Sequence, residues 1–197
     1  MAKRTQRIGI YSGTFDPVHS GHISFALQAI EKAQLDGVYF APERIPRGKR
    51  RVTHFAHRTT MIRRAVRPHA QLHVLELEDK RFSVAHTLPR LMRQFPGATL
   101  VFLCGSDVVA HMAQWAHVET LLPKTELCIA QRHNETKETV LRSVMGLPVA
   151  PRAARIVQSY APTVSSSQVR KALREKRTVR GLLASVKAYA QQEWLYI

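Results

Sequence analysis

Acid is scarce in this chain. Its 197 residues hold 14 Asp and Glu against 30 Lys and Arg, a formal charge of +16. A surface so charged attracts polyanions, and nucleotides, nucleic acids and anionic membranes all qualify. Long apolar runs are missing as well: no stretch could span a bilayer. Residues 1–7 are polar and basic and have no signal-peptide core. No membrane partner is expected, and the expected location is the cytoplasm. Cysteine is nearly absent. Cys104 and Cys128 form no CxxC and fit no zinc spacing. Each falls near the end of an apolar run and reads as a small core residue in a reducing compartment, in preference to a disulfide.

Aromatic residues make up only 7% of the chain, and none interrupts the basic stretch at 43–53. With no recognised RNA- or DNA-binding motif either, no specific nucleic acid is expected, and a basic nucleic-acid-binding protein is the alternative outside the enzyme class. What is left is ordinary: 45% hydrophobic and 22% charged, the make-up of a globular protein. The length fits a single domain over 1–197, with a core at about 8–160 and a helical part at about 161–197. Oligomeric state is not legible.

Short apolar runs alternate with helical patterns. Strands are expected at 8–11, 38–41, 72–77, 99–104 and 127–130, with a shorter one near Ile156 and Val157. Helices are expected at 20–34, where Ile23, Leu27, Ile30 and Ala33 share a face, and at 55–67, stopped by Pro68. Others are expected at 83–95, after Gly105-Ser106-Asp107, and at 135–145, 165–176 and 182–193. This alternation predicts a Rossmann-like α/β fold: an open, mostly parallel sheet with helices on both faces and a small helical C-terminal portion. Ligands of such sheets bind at the carboxyl ends of the strands.

The motifs fall on those ends. Ser12-Gly13-Thr14-Phe15-Asp16-Pro17-Val18-His19-Ser20-Gly21-His22 joins the first strand to the first helix. His22 sits in the helix's first turn, where open N–H groups favour an anion, and His19 can face the same point. Two imidazoles beside a helix N-terminus make a phosphate cradle. The run Ser165-Ser166-Ser167-Gln168-Val169-Arg170 reads as a helix N-cap, and its hydroxyls and Arg170 suit an anion too. Gly105-Ser106-Asp107 is followed by Trp115, a helix cap plus a partly buried indole in the plain reading. No Cys or Ser is placed against a base, so no covalent intermediate is expected.

The first stretch resembles the signature of the HxGH nucleotidyltransferase superfamily, in the GGTFDPVHxGH form typical of nicotinate mononucleotide adenylyltransferases, with Ser12 in place of the first Gly. The serine run resembles that family's ISSTxIR element, and Gly105-x-Asp107 with Trp115 its GxD…W pattern. The resemblance covers about 8–193. It implies transfer of AMP from ATP to nicotinate mononucleotide, with His19, His22 and Arg170 as the catalytic groups. It implies Gly13, Thr14, Phe15, Gly105, Ser106, Asp107, Arg132, Ser165, Ser166 and Ser167 at the ATP, and Lys49, Thr87 and Trp115 at the other substrate. Mg²⁺ is expected to be held mainly by substrate phosphates and water, with no dedicated metal site. Asp16 is the carboxylate best placed to reach that shell, and stabilising its turn is its other reading.

Two segments depart from the pattern. The family's Asn-x-x-Pro-Pro-His-Lys loop reads Arg44-Ile45-Pro46-Arg47-Gly48-Lys49 here, and nine Arg or Lys with no acid fall between 44 and 68. The segment 82–88 keeps Thr87 and Leu88 of Ser-Tyr-Thr-x-Asp-Thr-Leu but not the Tyr or first Thr. Acid versus amide preference is therefore open, and nicotinamide mononucleotide and phosphopantetheine are the alternative acceptors.

Overall fold

The computed structural model describes residues 4–132, 135–158 and 164–197. Six apolar runs become strands: β1 (Arg7–Gly13), β2 (Gly37–Pro42), β3 (Leu72–Val74), β4 (Thr99–Gly105), β5 (Glu126–Gln131) and β6 (Ala153–Gln158). They form one sheet in the order β3-β2-β1-β4-β5-β6. The sequence predicts a mostly parallel sheet, and every pairing among the described residues is parallel. Strand order reverses between β1 and β4, so a crevice opens over their carboxyl ends.

Helices fill the connections: α1 (Ser20–Ala33), α2 (Phe55–Val66), α3 (Val84–Gln94), α4 (Ser106–Met112), α5 (Val118–Leu121), α6 (Lys137–Met145), α7 (Ser166–Arg174) and α8 (Ala184–Gln192). The small α5 and the 3-10 turn Leu122–Lys124 that follows it carry no periodic pattern to announce them. The expected boundary at 160–161 lies outside the described residues.

Strand β4 is buried almost residue for residue because helices cover both of its faces. Leu100, Phe102 and Cys104 join Ile8, Ile10, Leu127 and Ile129 in one core, closed by Leu88 and Leu91 of α3, Val109 of α4 and Val140 of α6. Val101 and Leu103 point the other way and meet Val38, Phe40 and Cys128 under Phe25 and Ala29 of α1, Met61 and Ile62 of α2 and Tyr189 of α8. Each fully buried Leu, Ile or Phe contributes about 1.5–3 kcal/mol. The same alternation parts the two cysteines, which are free and buried on opposite faces of the sheet. Burial pushes the Cys128 thiol up to about 12 and raises that of Cys104, so neither is a thiolate near neutral pH.

The third strand is shorter than the pattern predicts. Residues 75–77 alternate apolar and polar like a strand, yet the ladder ends at Val74, with one further bond from Leu75 N–H to Phe40 O at 2.8 Å. Its partner β2 ends at Pro42, which has no N–H to offer, and the Leu77 carbonyl accepts from Arg44 Nε at 2.9 Å instead. Among the described residues no helix is long and apolar enough to cross a membrane.

Candidate active site

A cavity of about 1010 Å³ opens at the carboxyl ends of β1, β4 and β5, between Tyr11–Gly13 on one side and Gly105 and Arg132 on the other. The loop after β1 forms its floor. Phe15 takes a left-handed backbone (φ 50°), which costs a non-glycine residue about 1–3 kcal/mol. In return its ring is buried against Tyr11, Phe40 and His22, with centroids 5.3, 5.4 and 5.1 Å away.

His19 is the N-cap of α1, and its ring lies 3.7 Å from that of His22. The His19 backbone N–H donates to His22 Nδ1 at 3.2 Å. With Nδ1 accepting, a neutral His22 carries its proton on Nε2. Gly21 makes room for the pair, since a Cβ there would stand 3.0 Å from the His19 ring. Burial brings the His19 pKa down to about 4. His22 lies well below the usual range, through burial first and then the nearby His19 and Lys49. Both rings are therefore neutral near pH 7.

Helix α7 docks onto this loop from the far end of the chain. Ser165 caps it reciprocally with Gln168, at 3.2 Å to the Gln168 N–H and 2.8 Å from the Ser165 N–H back to Gln168 Oε1. The N-cap reading of the serine run thus holds, and it leaves the next residues for other work. Ser166 donates to Pro17 O at 2.9 Å. Arg170 donates to Asp16 O at 2.6 Å and to Ser167 Oγ at 3.1 Å. The two motifs become one surface.

The basic stretch divides by task. Lys49, Arg50 and Arg51 line the cavity, as does Arg47, which also donates to Phe82 O at 2.8 Å. Arg58 does not line this cavity; it is 1% exposed and braces the loop after β1 from behind. Its guanidinium donates to Thr53 O (2.8 Å), Thr14 O (2.6 Å), Glu43 O (2.7 Å) and Arg44 O (3.3 Å). Arg63 is spent on Glu76, and Arg64 lies 4.6 Å over the Tyr189 ring. A smaller cavity of about 630 Å³ behind Val52, where Arg44, Arg63 and Glu76 meet, contains neither phosphate motif.

At the other wall, Asp107 and Arg132 pair through two contacts of 2.8 and 3.1 Å. A Cβ at Gly105 would stand 2.4 Å from Asp107 Oδ1, so a side chain there would push the Asp107 carboxylate out of this pair. Phe82, Phe102, Met112 and Trp115 make the cavity's apolar end, with Phe82 edge-on to Phe102 at 5.2 Å and 6.0 Å from Trp115.

All the residues predicted for the site line this cavity except Ser106 and Thr87. Ser106 is buried and donates to Glu135. Thr87 is fully buried, and its hydroxyl accepts the Ser83 N–H at 2.9 Å, which organises the start of α3. The Asp16 carboxylate bonds outside its own turn, accepting Tyr196 OH at 2.7 Å and Thr53 N–H at 3.4 Å. Among the described residues no group of three or more His, Cys, Asp or Glu is placed to hold a metal ion. Arg58, Phe82 and Tyr196 also build the site, although the sequence assigns none of them a role there. Arg58 carries a signal as a charge on the apolar stripe of α2 with Met61, Ile62 and Ala65, and Phe82 one as the start of the altered 82–88 segment; Tyr196 carries none.

Comparison with known proteins finds relatives over most of the chain. A family model described as cytidylyltransferase-like matches residues 10–172. The chain is similar to a probable nicotinate-nucleotide adenylyltransferase of Exiguobacterium sibiricum, at 31% identity over 194 residues, covering 95% of this chain and 97% of the other. It is similar to another so named from Carboxydothermus hydrogenoformans, at 34% identity, covering 86% and 87%. Plasmodium falciparum nicotinic acid mononucleotide adenylyltransferase complexed with NaAD shares the fold, with a TM-score of 0.80 at 20% identity and 97% of both chains covered.

Proposed function

This chain belongs to the cytidylyltransferase-like family, and we propose that it is a nicotinate-nucleotide adenylyltransferase, a nucleotidyltransferase of NAD biosynthesis. The observation that carries this reading is the fusion of the two phosphate motifs, with His19, His22, Ser166 and Arg170 brought to one loop at a single cavity. Its volume, about 1010 Å³, is at the upper end for a small-molecule site and suits two nucleotides side by side.

In the proposed reaction a 5′-phosphate oxygen of nicotinate mononucleotide attacks the α-phosphorus of ATP. The new O–P bond forms as the bond to the bridging oxygen breaks, and pyrophosphate leaves with the electron pair. The attacking phosphate is already an anion, so no general base is required. Catalysis then rests on positioning and on stabilising charge as it moves to the leaving group. His22 offers its Nε2 proton from a ring fixed at Nδ1, and His19 stands beside it. Arg170 and the first turn of α7 meet the β- and γ-phosphates. Gly13, Thr14, Phe15, Gly105, Asp107 and Arg132 border the nucleotide. Trp115 with Phe82 suits a flat pyridine ring, and Lys49 suits the mononucleotide phosphate. Ser106 and Thr87 act beneath the surface.

The residues do not fit a protein-held Mg²⁺. Both oxygens of Asp16 are occupied, and Asp107 is paired with Arg132. We assign the ion to the substrate phosphates and water, and no step here runs through a protein–metal bond. The cluster of Arg47, Lys49, Arg50 and Arg51 on the cavity gives much of the excess charge a use in drawing in anionic substrates. Buried free thiols suit a cytoplasmic location.

Pyrophosphate release from ATP and Mg²⁺ with nicotinate mononucleotide, nicotinamide mononucleotide and phosphopantetheine in parallel tests the reading. Turnover is expected with the nicotinate form at the highest kcat/KM. Turnover with another acceptor alone would keep the phosphate machinery and remove the nicotinate assignment.

Proton linkage gives a second test. Burial lowers the His19 pKa to about 4, whereas a triphosphate beside the ring favours imidazolium. Binding of ATP at pH 6 is therefore expected to take up protons and to tighten as pH falls from 7 towards 5. Calorimetry in two buffers of different ionisation enthalpy reads this directly; equal heats would show that the rings stay neutral. The same depressed pKa adds stability that is complete above about pH 6.5 and is lost as pH falls towards 4.

A further inference from the structure

We infer that Tyr196 is a positioning residue for ATP, one that occupies the carboxylate of Asp16 and so keeps Arg170 turned to the phosphates. The inference rests on reading the cavity as an ATP site. The Asp16 side chain borders that cavity yet is only 5% exposed. A buried carboxylate needs donors for its lone pairs, and each one it lacks is sought from the nearest cation. Here Oδ1 accepts the Tyr196 hydroxyl at 2.7 Å and Oδ2 the Thr53 N–H at 3.4 Å.

Arg170 approaches the same residue differently. Its Nη1 donates to the Asp16 main-chain oxygen at 2.6 Å and stands 4.0 Å from Oδ2. The main chain therefore anchors the guanidinium while its charge is not consumed by the carboxylate. Without the Tyr196 hydroxyl, Oδ1 is left in the protein without a donor. The carboxylate charge it no longer shares falls to the cations around it. Arg58 also feels Asp16 but is held by its four carbonyls. Arg170 instead stands 4.0 Å from Oδ2, which has only the long Thr53 bond, and a shift of about 1 Å makes that contact a charge-assisted hydrogen bond. An Arg170 so captured is lost to the phosphates.

Tyr196 is well held for this work. It lies past α8 and packs with Leu195 against the core that contains Phe15 and Val18. Burial raises the pKa of its phenol, so the hydroxyl keeps its proton and remains a donor.

The test compares Tyr196→Phe, the double variant Asp16→Asn/Tyr196→Phe, and Tyr189→Phe as control. Tyr189 bonds His57 at the α2–α8 contact, away from the cavity. ATP affinity is measured by calorimetry without acceptor, then the KM of each substrate and the melting temperature. Tyr196→Phe is expected to weaken ATP binding roughly tenfold, the scale of one hydrogen bond to a charged group, with acceptor KM and melting temperature little changed. Asn at position 16 cannot capture Arg170 as a carboxylate does, so the double variant is expected to return to within about threefold of the parent. An unchanged ATP affinity in Tyr196→Phe would overturn the inference. So would parallel losses in both substrates and in melting temperature that Asp16→Asn does not reverse. A parent protein that binds no ATP would instead sink the functional reading beneath it.

Discussion

A folded His22→Ala variant is expected to turn over on the order of 10²–10³-fold more slowly than the parent, with ATP affinity changed far less. The reason lies in how the ring is held. Its Nδ1 is occupied by the His19 N–H at 3.2 Å, and Phe15 and Tyr11 bound it at 5.1 and 6.0 Å. The remaining nitrogen is a donor fixed in place before substrate arrives, so under the proposed reaction it would stabilise the moving charge with little reorganisation. Alanine removes that donor and leaves the rest of the cradle standing. Steady-state pyrophosphate release, with circular dichroism to establish folding, measures the effect. Near-normal turnover would take His22 out of the reaction and leave it as part of a helix start.

Arg58→Met should show the largest loss of stability, roughly 3–5 kcal/mol. At this chain length that corresponds to a fall in melting temperature of about 6–20 °C. Among the described residues no carboxylate lies in hydrogen-bond range of Arg58; its guanidinium is solvated by carbonyls from three separate segments, at 14, at 43–44 and at 53. Methionine fills much of the volume but leaves those oxygens buried without donors, each at a cost of about 1–3 kcal/mol. Arg67→Ala, at the exposed end of the same helix, should move stability by less than about 0.5 kcal/mol. Urea unfolding of both variants decides it. A loss of under about 1 kcal/mol in Arg58→Met would mean that water reaches the carbonyls.

These two residues mark what the sequence could and could not tell. His22 was legible because its meaning is local: a glycine-bearing turn between an apolar strand and an amphipathic helix, with every participant within eleven consecutive residues. The sheet was legible for the same reason, since runs such as Thr99 to Cys104 announce a strand buried on both faces. Arg58 is a different case. Its helix face was visible, but its four acceptors are main-chain oxygens, and main chain has no identity in a sequence. Tyr196 is harder still, as nothing nearby says that it reaches Asp16. Thr87 and Ser106 show the converse. Motif position brought them close to the cavity, while rotamer and neighbours turned their hydroxyls to Ser83 and Glu135. At 75–77 the pattern was strand-like, but pairing depends on how far the neighbouring strand runs, and β2 stops at Pro42.

The contacts that close the site join residues 149 and 154 positions apart, Ser166 to Pro17 and Arg170 to Asp16. A ribosome therefore delivers the histidine loop long before the serines and arginine that complete it. If the cavity is the nucleotide site proposed above, a growing chain holds only half of it until α7 has emerged and docked, and ATP is expected to gain little by binding there. Because ligand stabilises only the state that binds it, the abundant cellular nucleotide cannot trap a partly made or partly folded form. It rewards the finished molecule alone.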